Sequence, residues 1–182
     1  MIGLFKKRVP AITPVIDLAD LTCDDLRIGQ PVPADSSYLP FFIDDGGGSR
    51  IYKNSACGIE IGTRKGLVDS FFISLDSFTG SFTLDGQPVR LTSNSTETEV
   101  AKILGEPWWK EVDEAAEVVD FYEFADGHHE LQFEYPPKSA LAFITILREG
   151  TLSDPEQREA YGVTKPWPPV SEDDGPVFPN IK

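Results

Sequence analysis

The sequence has few basic residues for its length. It contains 16 lysines and arginines against 30 aspartates and glutamates, so its formal net charge is −14. Nucleic acids and anionic membrane surfaces carry dense negative charge and would repel such a chain, so neither is an expected partner. If the protein binds another protein, the charge favours a basic one.

Cysteines and long apolar runs are also scarce. Two cysteines, Cys23 and Cys57, do not make a disulfide framework, and reduced thiols in a cytosolic protein are the simpler interpretation. The longest apolar runs, such as 141–147, have the length of a strand and not of a membrane span. Residues 1–8 place their charges after a very short apolar stretch, whereas a secretory signal places charge first. We therefore expect a soluble, cytoplasmic protein.

The sequence also lacks recognisable catalytic and cofactor motifs. It contains no Gly-x-Ser-x-Gly nucleophile elbow. The three glycines at 46–48 lack the Lys-Ser/Thr pair of a phosphate loop, and no strong helix start follows them. Cys57 is better explained as a small packed thiol than as a nucleophile. We expect no catalytic residue and no cofactor, so the protein is not expected to be an enzyme.

Histidines and paired carboxylates offer the remaining chemical candidates. His128 and His129 are adjacent, and neighbouring strand residues point to opposite faces, so they are poorly placed to hold one metal ion. Exposed hairpin histidines and no metal site are the expectation. Glu130 and Glu134 alternate with apolar residues, which favours the solvated side of a half-buried sheet over a glycosidase pair.

The pattern predicts one hairpin and two helices. Alternation over 81–91 with Asp85-Gly86 at its centre indicates a hairpin with a type I′ turn. A capping box begins at Thr96 and is followed by a helix that Gly105 and Pro107 end. A second capping box begins at Ser153 and predicts a helix to Tyr161.

Two sets of three strand-like runs resemble each other. The first set lies at 50–54, 58–63 and 67–75, and the second at 118–124, 129–135 and 139–147. Tyr52 matches Tyr122, and the third runs match at a spacing of about 72 residues. Duplication of one unit explains these matches, although two unrelated α+β stretches could share such an order by chance.

The expected fold is therefore α+β. It consists of two tandem units, each a helix followed by a three-stranded antiparallel meander, which form a continuous or paired antiparallel sheet with helices on one face. The expected organisation is an N-terminal arm over 1–20, repeat units over 21–80 and 81–150, and a helix with a Pro-rich tail over 151–182.

The helix motif of the second unit, Thr96-Glu-Thr-Glu-Val followed by Leu104-Gly-Glu-Pro107, resembles that of β-lactamase inhibitory protein and of single-unit outer-membrane assembly lipoproteins. The resemblance covers roughly 24–150, and the first unit departs from it because Pro33 and Pro40 fall in its helix. It implies a scaffold that presents a sheet face to another protein. Size and acidity also resemble those of small immunity proteins that neutralise bacterial toxins.

Acidic residues are concentrated in the second unit. Twelve of them lie between Glu97 and Glu134, opposed only by Lys102 and Lys110. Aromatic anchors within a rim of one charge are typical of a steered protein interface. The predicted partner-binding residues are Trp108, Trp109, Glu106, Glu111, Asp113, Glu114 and Glu117. The simpler alternative is that one tryptophan packs on the sheet and the charges only solubilise the chain.

These features predict a non-enzymatic immunity or inhibitor protein that occludes a bacterial toxin or another basic protein. A structural or accessory domain of a complex is the alternative, and an enzyme with an unrecognised site comes third. A cleft that gathers His128 or His129 with carboxylates would favour the enzyme.

Overall fold

The structure is a computed structural model, and it describes residues 13–169. Strands dominate this part of the chain. The strands are β1 Val15–Asp17, β2 Thr22–Cys23, β3 Leu26–Arg27, β4 Ile43–Gly46, β5 Ser49–Asn54, β6 Ile59–Arg64, β7 Leu67–Ser74, β8 Ser81–Leu84, β9 Gln87–Val89, β10 Trp109–Val112, β11 Val118–Glu123, β12 Glu130–Tyr135 and β13 Phe143–Leu147. The helices are α1 Glu97–Leu104 and α2 Pro155–Ala160, with 3-10 turns at Leu39–Phe41 and Thr151–Ser153.

Eight strands form one large antiparallel sheet in the order β10-β11-β12-β13-β7-β6-β5-β4. It consists of two four-stranded meanders that join through their last strands, with Ile144 of β13 opposite Ile73 of β7. The two runs with the strongest sequence match, 67–75 and 139–147, therefore supply the centre of the sheet. Strands β4 and β10 are its two ends.

The other five strands form a smaller sheet in the order β3-β2-β1-β8-β9. Strand β1 pairs in parallel with β8 and antiparallel with β2, so this sheet is mixed. Asp17 joins the two hairpins, because its carboxylate accepts hydrogen bonds from Thr83 Oγ1 and from the Gly86 amide, each at 2.8 Å.

One apolar core lies between the two sheets. Alternate side chains of the large sheet, including Ile61, Phe71 and Ile146, pack there with residues of the smaller sheet such as Ile16 and Phe82. Helix α1 contributes Val100 and Leu104 to the same core. The core therefore contains side chains from both predicted repeat units. The boundary between these units, placed between residues 80 and 81, stays a prediction.

The predicted fold class is wrong. The described chain is mostly sheet, with α1 of eight residues and α2 of six, and it does not consist of two helix-then-meander units. The segment expected to hold the first helix forms only the 3-10 turn Leu39–Phe41. Pro31, Pro33 and Pro40 explain the loss, because each proline removes a backbone donor and disfavours helical conformation in the residue before it.

Each meander also has a fourth strand that the sequence reading missed. Strand β4 lies outside the predicted runs, and Gly46, Gly47 and Gly48 adopt positive φ angles that let β4 turn directly into β5. Strand β10 precedes the predicted run at 118–124 and pairs with β11.

The expectation of helices on one face is also wrong. Helix α1 packs in the core between the sheets, whereas the segment 151–167 packs on the opposite face of the large sheet. There Leu152, Tyr161 and Trp167 cluster with Phe121 and Trp108. Phe121 and Tyr122 are neighbours on β11 and therefore point to opposite faces, so each belongs to a different apolar cluster.

Several local predictions are confirmed. Asp85 and Gly86 have positive φ angles, as a type I′ turn requires, and they connect β8 to β9. Thr96 and Glu99 make the reciprocal capping box of α1. The second cap differs from the prediction, since Asp154 and not Ser153 accepts a hydrogen bond at the start of α2. Residues 1–12 of the arm predicted over 1–20, and residues 170–182 of the helix and tail predicted over 151–182, lie outside the described residues.

Candidate partner-binding surface

Five of the predicted binding residues surround one end of the large sheet. Strand β10 is the terminal strand, and it connects to β11 by a turn over 113–117. Asp113 shapes this turn, because its Oδ1 accepts a hydrogen bond from the Glu117 amide at 2.8 Å. We call the following carboxylates, all exposed or partly exposed, the acidic edge: Glu106, Glu111, Asp113, Glu114 and Glu117.

The two predicted tryptophan anchors lie in different environments from those expected. Trp108 is 1% exposed and packs edge-to-face on Trp167, with ring centroids 5.4 Å apart. Lys165 covers it further and donates to its backbone oxygen at 2.7 Å. Trp109 is only partly buried. Trp108 therefore stabilises the packing of segment 151–167, and only Trp109 presents an indole surface beside the acidic edge.

A cleft of about 370 Å³ lies next to the acidic edge, between α1 and strands β10 and β11. Lys110 Nζ contacts Glu97 Oε2 at 2.5 Å and lies 3.4 Å from Asp120 Oδ1. Burial raises the pKa of Asp120 to about 6, although the ammonium group of Lys110 acts in the opposite direction. At neutral pH this cleft therefore contains a buried carboxylate that is mainly ionised.

A second carboxyl group, Glu123, is fully buried beneath segment 151–167. It lies directly opposite Glu130 on the neighbouring strand, and Glu130 is fully buried as well. Burial raises the pKa of Glu123 well above its ordinary value, and the nearby Glu130 carboxyl group acts in the same direction. Neither carboxyl oxygen of Glu123 has a hydrogen-bond partner among the described residues, so its burial favours the uncharged form.

Glu130 has a structural role that the sequence reading missed. Its carboxylate accepts hydrogen bonds from the backbone amides of Thr151 and Leu152 at 3.0 and 2.9 Å, and from Gln132 Nε2 at 2.5 Å. The expectation that Glu130 lies on a solvated face is therefore wrong, and its side chain instead fixes the start of segment 151–167 through these hydrogen bonds. No periodicity signal distinguishes this role, because a strand glutamate has the same sequence pattern in both cases.

The histidines lie beside a separate cleft of about 400 Å³. Asp126 binds the Nδ1 atom of His129 and accepts hydrogen bonds from the backbone amides of His128 and His129. Although burial acts in the opposite direction, these hydrogen bonds hold the pKa of Asp126 below its ordinary value. Asp126 therefore orients the His129 ring, whose Nε2 atom lies near Gly29 in the lining of the cleft.

This histidine cleft meets one condition for an enzyme, because it gathers a histidine with carboxylates. Its lining residues are Arg27, Ile28, Gly29, Gln30, His128, His129, Arg148 and Glu149. None of these side chains is a hydroxyl or thiol nucleophile. Both arginines are also paired, Arg27 with Asp20 and Arg148 with Asp69 and Glu149. The geometry can orient a general base, but it contributes no uncompensated charge to stabilise a reacting anion.

Metal ligation has no support in residues 13–169. No group of three or more His, Cys, Asp or Glu side chains in this part of the chain is placed to hold a metal ion. Both cysteines are buried free thiols, and burial raises the pKa of Cys23 to about 12. Within the same residues, no helix has both the length and the apolar character needed to cross a membrane.

Comparison of the chain with protein-family models, curated proteins and solved structures gave no significant match. The function therefore has to be argued from the geometry of this chain alone.

Proposed function

We propose that this chain is a non-enzymatic binding protein of the cytoplasm that occludes a basic partner protein. In its most specific form, the proposal is an immunity or inhibitor protein for a bacterial toxin. The acidic edge and the exposed side of Trp109 form the binding surface. Trp108 does not belong to that surface, because it is buried.

The observation that carries this proposal is the location of the acidic edge. Four of its five carboxylates belong to the hairpin of β10 and β11 at the end of the large sheet, and Glu106 lines the neighbouring cleft. Carboxylates spread over the whole surface would serve solubility alone, whereas carboxylates gathered at one edge create a local negative potential that attracts a basic surface. Strand β10 adds an exposed apolar side chain, Val112, which is 56% exposed. Apolar contact surrounded by charge is the usual composition of a protein interface.

A charge-reversal variant tests the proposal. The full chain is immobilised and exposed at low salt to lysate from its source cells, and captured proteins are compared with those held by Glu111→Lys/Glu114→Lys/Glu117→Lys. We expect the native chain to capture a basic protein that the variant loses by at least about tenfold, since each rim charge contributes to steering and three are reversed. Capture should also weaken as salt is raised from low to physiological concentration.

The matched control reverses three exposed carboxylates elsewhere, Asp45, Asp76 and Glu159. It makes the same change in net charge but leaves the acidic edge intact. We therefore expect this control to retain the partner that the first variant loses. If both variants lose the partner equally, only net charge matters and the proposed surface is wrong. If no protein is captured by the native chain at any salt concentration, the binding proposal itself is contradicted.

The toxin form of the proposal has a separate test in the genome. A neighbouring gene for a large protein with a toxin-like C-terminal region supports it, and co-expression of that region with this chain should then restore cell growth. A neighbourhood of metabolic genes contradicts the toxin form.

A further inference from the structure

The cleft between α1 and strands β10 and β11 contains more negative than positive charge. Its polar lining consists of Glu97, Thr98, Lys102, Glu106, Lys110 and Asp120. Three of these side chains are carboxylates and two are ammonium groups. The cleft opens beside the acidic edge and shares Glu106 with it.

One oxygen atom in this cleft is incompletely satisfied. Asp120 is 1% exposed, and its Oδ1 atom has no hydrogen-bond partner among the described residues. Lys110 Nζ lies 3.4 Å away, which is an ion-pair distance, but its orientation makes no hydrogen bond to Oδ1. The ammonium group is directed instead at Glu97 Oε2. A buried carboxylate oxygen without a donor destabilises the free protein, and a donor supplied from outside would remove that cost.

Lys110 is the resident cation of the cleft, and it is replaceable. Its side chain is 39% exposed, so its flexible stem has room to leave Asp120 without disturbing the core. An incoming guanidinium group has five N–H donors in a planar arrangement and matches several carboxylate oxygens at once. It therefore satisfies the Asp120 and Glu97 carboxylates more completely than one ammonium group does.

We propose that this cleft accepts an arginine side chain of the partner protein, which displaces Lys110 and donates hydrogen bonds to Asp120 and Glu97. This inference rests on the proposed function, because it names the side chain through which the basic partner engages the protein next to the acidic edge. The charge of the cleft and the unsatisfied oxygen both select a cation with several donors. The absence of a metal-ligand group in residues 13–169 favours an organic cation over a metal ion.

The first arm of the test uses N-acetyl-arginine amide as the probe and N-acetyl-citrulline amide, its uncharged analogue, as the ligand control. Backbone amide shifts of the full chain are followed by NMR at pH 7.5 and low salt. We expect the arginine probe to shift amides of α1, β10 and β11, and the citrulline probe to shift none of them. Equal binding of the two probes would overturn the proposal.

Two variants test whether Asp120 and Lys110 control the affinity of the cleft for the arginine probe. Asp120→Asn keeps the shape of the side chain and removes its charge, and it should weaken the arginine probe by about tenfold or more, the effect of a charged hydrogen bond. Lys110→Met removes the resident cation and should strengthen the probe several-fold. Asp45→Asn, far along the chain on exposed β4, is the matched control and should change nothing. Unchanged affinity in both cleft variants would contradict the assignment.

A third arm identifies the source of the cation. Spermidine binding the cleft more tightly than the arginine probe would identify a free polyamine as the ligand and overturn the partner assignment. The captured partner gives the complementary result, since Asp120→Asn should reduce its capture while Asp45→Asn does not. If reversal at Glu111, Glu114 and Glu117 abolishes capture but Asp120→Asn has no effect, the cleft assignment fails and the proposed function stands.

Discussion

At the residue scale, three of the twelve acidic residues between Glu97 and Glu134 do not contribute surface charge in the expected way. Asp120, Glu123 and Glu130 are buried. Each has a different environment: Asp120 lines a cleft, Glu130 accepts backbone hydrogen bonds, and Glu123 lies opposite Glu130 with a pKa that burial raises. The acidic composition is therefore partly structural, and only the remaining carboxylates contribute to the proposed binding surface.

The raised pKa of Glu123 predicts how stability depends on pH. The carboxyl group of an unfolded glutamate has a pKa of about 4.3, whereas the pKa of folded Glu123 is raised well above its ordinary value. Between the unfolded and the folded pKa, the folded state binds more protons than the unfolded state, so the free energy of unfolding falls as pH rises between these two values. Glu123→Gln removes the titrating group and keeps the shape of the side chain. We expect the variant to be more stable than the native chain at pH 8 by about 1–3 kcal/mol.

Urea unfolding at several pH values from 5 to 8 measures this effect, and the difference should shrink towards pH 5. Glu159→Gln, at an exposed position of α2, is the control and should follow the native pH dependence. A native chain whose stability does not fall relative to Glu123→Gln between pH 5 and pH 8 would show that folding does not raise the pKa of Glu123.

At the element scale, the segment 151–167 covers the outer face of the second meander. Glu130 fixes its first residues, and the cluster of Leu152, Tyr161 and Trp167 supplies its apolar contacts. Arg158 adds a cation–π contact, with its guanidinium carbon 4.9 Å from the centre of the Trp167 ring. Where the two meanders join, Phe72 of β7 stacks on Phe143 of β13, and Phe72 remains 38% exposed.

Leu152→Ala tests this packing. Leu152 is fully buried, so the substitution should lower the free energy of unfolding by about 2–5 kcal/mol through lost burial and a cavity. All three tryptophans of the chain belong to this cluster, so their fluorescence should shift to longer wavelength in the native state of the variant. Val112→Ala, at an exposed position of β10, is the matched control and should cost less than about 1 kcal/mol. Equal losses in the two variants would contradict the proposed packing.

At the scale of the whole molecule, the two sheets and both meanders share one core. Strands β7 and β13 pair along five residue positions at the centre of the large sheet, and β1 pairs with β8 in the smaller sheet. Neither half of the described chain has a separate set of buried side chains in the main core. This arrangement links the predicted repeat units into one cooperative structure.

Cooperativity is directly measurable. We expect urea unfolding followed by far-ultraviolet circular dichroism, which reports all strands, to coincide with unfolding followed by tryptophan fluorescence, which reports the second meander alone. A fluorescence transition at clearly lower urea, with most of the strand signal retained, would show that the second half or its covering segment unfolds independently.

The local chemistry of the sequence determined the elements that depend on neighbouring residues. The Asp85-Gly86 turn, the capping box of Thr96 and Glu99, and the six predicted strands appear because φ preferences, side-chain caps and alternating apolar residues act over a few positions. The negative charge of the acidic edge is likewise a property of the local sequence. Its use as a binding surface is a proposal.

Only the tertiary structure decided which face each residue occupies and what covers it. The pairing of β7 with β13, the parallel pairing of β1 with β8, and the placement of 151–167 over β11 join residues far apart in the chain. Those contacts bury the side chains of Trp108, Glu123 and Glu130. The residue types and their spacing in the sequence predict exposed side chains at these positions instead. Burial depends on which apolar surfaces from distant parts of the chain pack against each other, and the local pattern of apolar residues does not determine that packing.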